Sequence, residues 1–261
     1  MSRESVRHVV VTGASSGIGL ALALEYAAPG VVLGLVARDE ARLNACEAAC
    51  RERGATVVIG RVDVRNALQL EAWLHRFDDA YPIDLLIANA GAASTLASSS
   101  DWEALDRTVT VNDTNFYGTL HAVLPVVERM RVRRYGQIAM VSSIAALRGM
   151  AISPAYCASK AAIKAYGDSV RPLLAREGIV LSVVLPGFVK TSMSDVFPGD
   201  KPFIWSADKA ARRIRTGLAA NRAEIAFPAM LAVGMRLLNV LPVRIADAIL
   251  SRLSYIPREG R

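Results

Sequence analysis

Val9-Val10-Val11-Thr12-Gly13-Ala14-Ser15-Ser16-Gly17-Ile18-Gly19 is the stretch that decides the fold. Three consecutive β-branched residues read as a buried strand, and the run that starts at Gly13 turns out of it into a helix. Glycines at 13, 17 and 19 allow a tight turn and let backbone N–H groups approach a pyrophosphate. The helix N-terminus that follows carries the partial positive charge that favours an anion. The spacing, Gly-x-x-x-Gly-x-Gly, is a variant of the Gly-x-Gly-x-x-Gly fingerprint. A glycine-rich turn by itself can be an empty structural turn. Its place between a strand and a helix, with matching elements downstream, marks this one as a nucleotide site. Gly13, Ser15, Ser16, Gly17, Ile18 and Gly19 are its candidate contacts.

The same alternation runs outward along the chain. Val31–Ala37, Thr56–Val62, Leu85–Ala88, Gln137–Ser142 and Val180–Leu185 are short, β-branched and apolar on both faces, as parallel strands under helices on each side should be. Helical segments lie between and after them, over Gly19–Ala28, Glu40–Arg53, Ala67–Phe77, Asp101–Arg134, Ala155–Ala175 and Ser206–Ala219. Repeated strand–helix alternation predicts a doubly wound parallel sheet of the Rossmann type, with right-handed crossovers and helices on both faces. No linker, repeat or low-complexity stretch divides residues 1–261, so one α/β domain is expected. From Ile225 to Leu253 the pattern changes to Leu-, Met-, Ala- and Val-rich sequence broken by Pro228 and Pro242. Two readings stay open there. One is a terminal strand and helices that close the substrate side or pack a subunit interface. The other is an amphipathic element that contacts a membrane surface or accepts a greasy substrate.

Composition narrows the function classes. With 52% apolar and 21% charged residues the chain carries a large core and is not a disordered segment. Cys46, Cys50 and Cys157 make no disulfide framework, and no metal quartet accompanies them, which fits a reducing, cytoplasmic setting without a bound metal. The charged N-terminus shows no signal or transit character, and no stretch approaches the ~18 apolar residues of a membrane span. A net charge of +7 comes from scattered basic residues, apart from a cluster between 129 and 134 and the last few positions. That dispersal predicts solubility and steering of anionic ligands, with no nucleic-acid partner.

The strand ends refine the nucleotide site. Ala37 closes the second strand and Arg38 follows, a guanidinium suited to stacking on adenine and pairing a 2′-phosphate. Asp39, a step late for a ribose, is the competing candidate. NADP(H) is therefore favoured, with NAD(H) the alternative. Asp63-Val64 ends the third strand, where the carboxylate can accept from the adenine amino group or merely cap the next helix. Asn89-Ala90-Gly91 ends the fourth, where small residues allow close approach and Asn89 can also tie neighbouring strands.

Tyr156 and Lys160 stand one helical turn apart, so on a helix they share a face. An ammonium beside a phenol lowers its pKa from ~10 and makes it a usable proton donor and acceptor for a carbonyl/alcohol couple. With the glycine motif, Asn89-Ala90-Gly91, Asn115-Phe116-Tyr117-Gly118, Ser142-Ser143 and Pro186-Gly187, the chain from about Val9 to Met193 resembles the short-chain dehydrogenase/reductase family in its ordinary single-domain form. The resemblance implies NAD(P)-dependent oxidoreduction and a tetrad of Asn115, Ser143, Tyr156 and Lys160. Ser143, thirteen positions before the tyrosine, would hydrogen bond the reacting oxygen, Lys160 would hold the nicotinamide ribose, and Asn115 would distort its helix locally and hold a relay water. Val189 and Thr191, after Pro186-Gly187, would fix the carboxamide, and Ile18 would line the nicotinamide face. Ser16 departs from the family's usual NADP pattern, which carries a basic residue there; that leaves Arg38 as the phosphate reader.

Residues 192–205, with Met193, Val196, Phe197, Phe203 and Trp205 among two prolines and a glycine, are expected to form a lid over an apolar substrate. Arg148, Met150 and Ile152 are expected at its entrance. Family habit implies a homodimer or homotetramer through the long helices Asp101–Arg134 and Ala155–Ala175. A dinucleotide-sensing protein on the same fold is the non-enzymatic alternative, and such proteins usually lose the tyrosine or lysine.

Overall fold

The computed structural model describes residues 6–96, 101–197 and 201–253, with backbone alone for the last three. Seven strands form one sheet: β1 His8–Thr12, β2 Val32–Ala37, β3 Thr56–Arg61, β4 Leu85–Ala88, β5 Gly136–Val141, β6 Ile179–Pro186 and β7 Glu224–Phe227. All pairs are parallel and the spatial order is β3-β2-β1-β4-β5-β6-β7. The order reverses between β1 and β4, and in an open α/β sheet that reversal opens a crevice at the carboxyl ends of the strands.

The opening valines show why the sheet is apolar on both faces. Val9 and Val11 point into one hydrophobic cluster and Val10 into the other, and none of the three is exposed. The first cluster is covered by α1 Gly17–Tyr26, α2 Glu40–Glu52 and α8 Ala207–Ala219, through residues such as Leu22, Leu43 and Ile214. The second lies under α3 Ala67–Ala80, α5 Gly118–Arg133 and α6 Pro154–Arg176, through residues such as Leu70, Phe77, Val126 and Ile163. Cys46 and Cys50 are buried on the inner face of α2.

The structure corrects one sequence expectation and defines two other regions. The segment predicted as one helix from Asp101 to Arg134 starts only at Leu105: α4 spans Leu105–Asn112, a π-helical turn follows over Asp113–Tyr117, and α5 then begins at Gly118. Residues 101–104 are non-helical, and there the Glu103 side chain bonds to a different element. The cluster of arginines between 129 and 134 is not a free cationic patch. Arg129 pairs with Asp79, Arg131 and Arg134 with Glu177, and Arg133 with Asp78. Asp78 is buried and accepts from Arg133 Nη1 at 2.7 Å and Ile83 N at 2.8 Å, which ties α3 to α5 and to the start of β4. The terminal strand and helices of one reading of 225–253 are present: β7 precedes α9 Ala229–Leu238 and α10 Val243–Leu253, and a short α7 Ser192–Asp195 follows β6.

Candidate active site

A cavity of about 1080 Å³ opens at the carboxyl ends of the central strands. Its floor is the glycine loop. Gly13 and Gly17 hold φ values of +68° and +55°, in the left-handed region that glycine adopts without cost. A Cβ on Gly17 would come within 3.0 Å of Thr191 Cγ2, and one on Gly19 would collide with the Gly13 carbonyl oxygen. Gly19 therefore stands behind the wall and lets α1 pack against β1, whereas Gly13, Ser15, Ser16, Gly17 and Ile18 line the cavity. Ser16, the N-cap of α1, makes no side-chain capping bond, which leaves the first N–H groups of that helix available to an anion. A cradle that tolerates no Cβ, an uncapped helix start and a cavity of this size fit a dinucleotide.

At one end lie Arg38, Asp39, Arg42, Asp63 and Val64. Arg38 Nη1 sits 3.4 Å from Asp63 Oδ2, with its guanidinium largely exposed to the cavity mouth. Partial burial raises the Asp63 carboxyl, but Arg65, through side chain and backbone, and then Arg38 outweigh it and hold it below the usual carboxylate range. Asp39 caps α2 by accepting from Arg42 N at 3.0 Å, and its carboxylate also pairs with Arg42 Nε at 3.3 Å. Arg42 was not singled out in the sequence. Its signal was its place on the first turn of α2, four residues after Arg38.

Across the sheet, Asn89 takes the tying role. Its N–H donates to Thr12 Oγ1 at 3.0 Å and its Nδ2 to Thr12 O at 3.0 Å, joining β4 to β1. Asn89, Ala90 and Gly91 still reach the cavity wall, as do Pro186, Gly187, Val189 and Thr191 beyond β6.

Ser143, Tyr156 and Lys160 meet on the wall between these two loops. Tyr156 and Lys160 sit on α6, with Lys160 Nζ 5.8 Å from the Tyr156 ring centroid and donating to Val141 O at 3.0 Å. Burial pushes the phenol up to about 12; the Ser143 hydroxyl pulls it back and Cys157 adds to the rise. Burial also drives the Lys160 ammonium down to about 8. The expected depression of the phenol by Lys160 is absent here, because desolvation sets the direction for both groups. Ser142 donates to Lys160 O at 2.6 Å and steadies α6 from behind.

Asn115 does not line the cavity. It lies fully buried in the π-helical turn, accepting from Ala92 N at 2.7 Å and donating to Ala92 O at 2.9 Å and Ser159 Oγ at 2.8 Å. Those bonds link the Gly91 loop to α6 directly behind Lys160.

The far half of the cavity is apolar. Tyr156 meets Phe197 edge to face at 5.8 Å, and Phe197 meets Phe188 at 6.1 Å. Met150, Ile152, Met193 and Pro202 complete one side, and Leu231, Met235 and Leu250 from α9 and α10 the other. The last three were not predicted individually, because a helix's inner face is known only once its packing is known. Arg148 does not line this entrance: it pairs with Asp247 of α10 at 2.7 Å, and Asp247 reaches the wall instead. Of the segment predicted as a lid, Val196 and Phe203 are exposed, while Trp205 is stacked on Phe227 at 5.0 Å and bridged to Val189. Pro198 and Gly199 lie outside the described residues.

Residues 7–201 match the model of the short chain dehydrogenase family. An uncharacterized oxidoreductase of Myxococcus xanthus is 36% identical over 97% of this chain and 100% of its own. Two solved structures share the fold. One, a short chain dehydrogenase/reductase from Burkholderia phymatum in complex with NAD, has a TM-score of 0.80 at 24% identity over 100% of both chains. The other, a short-chain dehydrogenase from Sphingobium yanoikuyae in complex with NADPH, has 0.78 at 24% over 98% of both. The glycine cradle at the strand-order reversal and the family match over most of the chain give one conclusion: the chain belongs to the short chain dehydrogenase family and is an NAD(P)-dependent oxidoreductase.

Proposed function

We propose that the protein reduces a carbonyl group on an apolar small molecule with NADPH, or oxidises the corresponding secondary alcohol in reverse. The observation that carries this reading is one cavity with a half-buried phenol against an apolar wall at one end and two guanidiniums at the other. The nicotinamide supplies or accepts the hydride. Tyr156, protonated at neutral pH, donates its proton to the substrate oxygen during reduction, and Ser143 hydrogen bonds that oxygen as negative charge develops on it. Lys160 would hold the nicotinamide ribose, with Ser142 and Val141 fixing its own position. Asn115 acts from behind by locking the Gly91 loop to α6. Val189 and Thr191 would hold the carboxamide, and Ile18 would line the nicotinamide face. Phe188, Phe197, Leu231, Met235 and Leu250 exclude water from the reacting carbon, and from the 192–205 segment Met193, Phe197 and Pro202 serve as the lid.

Arg38 and Arg42 support NADP(H) over NAD(H), because both can pair a 2′-phosphate while Asp39 is already engaged by α2 and by Arg42. Titration of nucleotide fluorescence with NADPH and NADH tests the preference, and turnover of trans-decalone and α-tetralone tests the substrate class. Tighter NADH binding removes Arg38 as the reader; turnover confined to polar sugars or acids removes the apolar substrate.

A second reading concerns assembly. No helix among the described residues is long and apolar enough to cross a membrane. The outer faces of α9 and α10 and the turn between them expose Met230, Val233, Leu237, Val240, Val243 and Ile245, which supports peripheral contact of a cytoplasmic protein with a bilayer. Exposed Leu105, Val109 and Leu124 on α4 and α5, with Leu173 on α6, support a homodimer or homotetramer. Vesicle sedimentation and light scattering test the two.

A further inference from the structure

We propose that Glu103 is a positioning residue for the proton donor: its carboxylate fixes the first turn of α6, and with it Tyr156, against the segment that follows Gly91. The inference rests on the reading of Tyr156 as the acid. It begins from the helix start itself. α6 opens at Pro154, which has no N–H, and its N-cap Ser153 makes no side-chain capping bond. The first N–H of the helix, on Ala155, is buried and needs an acceptor.

Glu103 supplies that acceptor from another part of the chain. Its Oε2 accepts from Ala155 N at 2.6 Å, and its Oε1 accepts from Ser94 Oγ. One carboxylate thus bridges two segments: the one leaving Gly91 and the helix carrying Tyr156. Leu96 N, donating to Ile152 O at 2.8 Å, ties the same two segments a second time. A carboxylate at the positive end of a helix dipole makes a charge-assisted bond, stronger than a neutral cap. Tyr156 is the next residue after Ala155, so a shift of that turn carries the phenol with it. Lys160 is one turn further in and anchored to Val141 O, and Asn115 braces the helix beside it through Ser159. Loss of Glu103 should therefore disturb alignment of the proton donor while leaving the dinucleotide in place.

The experiment compares Glu103→Ala, Glu103→Gln and Ser94→Ala with wild type, reading kcat and KM for trans-decalone and, separately, NADPH affinity by fluorescence. Displacement of a reacting group costs rate steeply, so Glu103→Ala should lower kcat on the order of tenfold or more. NADPH affinity should stay within about twofold, the split expected when an interaction serves alignment and not cofactor binding. Glu103→Gln keeps an oxygen for Ala155 N and should recover most of the rate. Ser94→Ala, which removes one arm, should fall between. Wild-type kcat in Glu103→Ala, an equal loss of NADPH affinity, or a glutamine variant no better than alanine overturns the proposal. Tyr156→Phe is run alongside: if it retains turnover the proton-donor reading fails, and if it is dead while Glu103→Ala is fully active, only the Glu103 inference fails.

Discussion

Replacing Lys160 with methionine should make the protein more stable and inactive at once. Lys160 is 3% exposed, and burial moves its ammonium from the ordinary 10.5 to about 8. At ~1.4 kcal/mol for each tenfold loss of proton affinity, carrying that charge at pH 7 costs the folded state roughly 3 kcal/mol. Methionine has similar length and no charge. Its cost is the Nζ–Val141 O hydrogen bond, worth about 1 kcal/mol. A net gain of about 1–2 kcal/mol remains, which on a chain of this size raises the Tm by roughly 3–6 °C. The pH dependence fixes the cause. Below pH 8 the lysine is protonated in both states and the full penalty is present. Between pH 8 and 10.5 the unfolded chain still holds a proton that the folded chain has released, so wild-type stability gains on the variant as pH rises. Thermal unfolding of both proteins at pH 7 and pH 10.5 should show a gap that closes. No gain at pH 7, or a gap that ignores pH, refutes the claim that Lys160 is held charged at a cost for the sake of the site.

Tyr156→Phe should lower kcat by ~10²-fold or more, the scale of general acid catalysis, with nucleotide fluorescence titrations nearly unchanged. Arg38→Ala should weaken NADPH binding by about 1–3 kcal/mol and NADH hardly at all, Arg42→Ala acting in the same direction; equal effects on both nucleotides would defeat the phosphate-reader assignment. Reductive turnover should hold below pH 7 and decline as pH rises through about 8, where Lys160 loses its proton, and a flat profile to pH 10 contradicts that role. Arg133→Ala leaves the buried Asp78 carboxylate without its partner and should cost ~3–5 kcal/mol in denaturant unfolding without changing nucleotide preference.

Local chemistry that repeats along the chain was legible early. Val9 to Val11 could be read as doubly covered because β-branched residues with no polar face have no other stable place. Gly13 and Gly17 announced a backbone approached closely from outside, and the spacing of Tyr156 and Lys160 placed them on one helical face. These patterns are set by residues within a turn or two of one another, so the fold class and the glycine-rich loop were legible in the sequence alone. What depends on packing was not legible. Burial of Tyr156 and Lys160 reversed the expected direction of the phenol, since desolvation is a property of everything packed around a group. Arg148 turned from the substrate entrance to Asp247 because a helix about a hundred residues later offered a carboxylate. Leu231, Met235 and Leu250 became a wall only when α9 and α10 folded back over the strand ends. Glu103 met Ala155 for the same reason: the two lie 52 residues apart, and only the tertiary fold brings a carboxylate to an N–H that its own helix leaves without an acceptor.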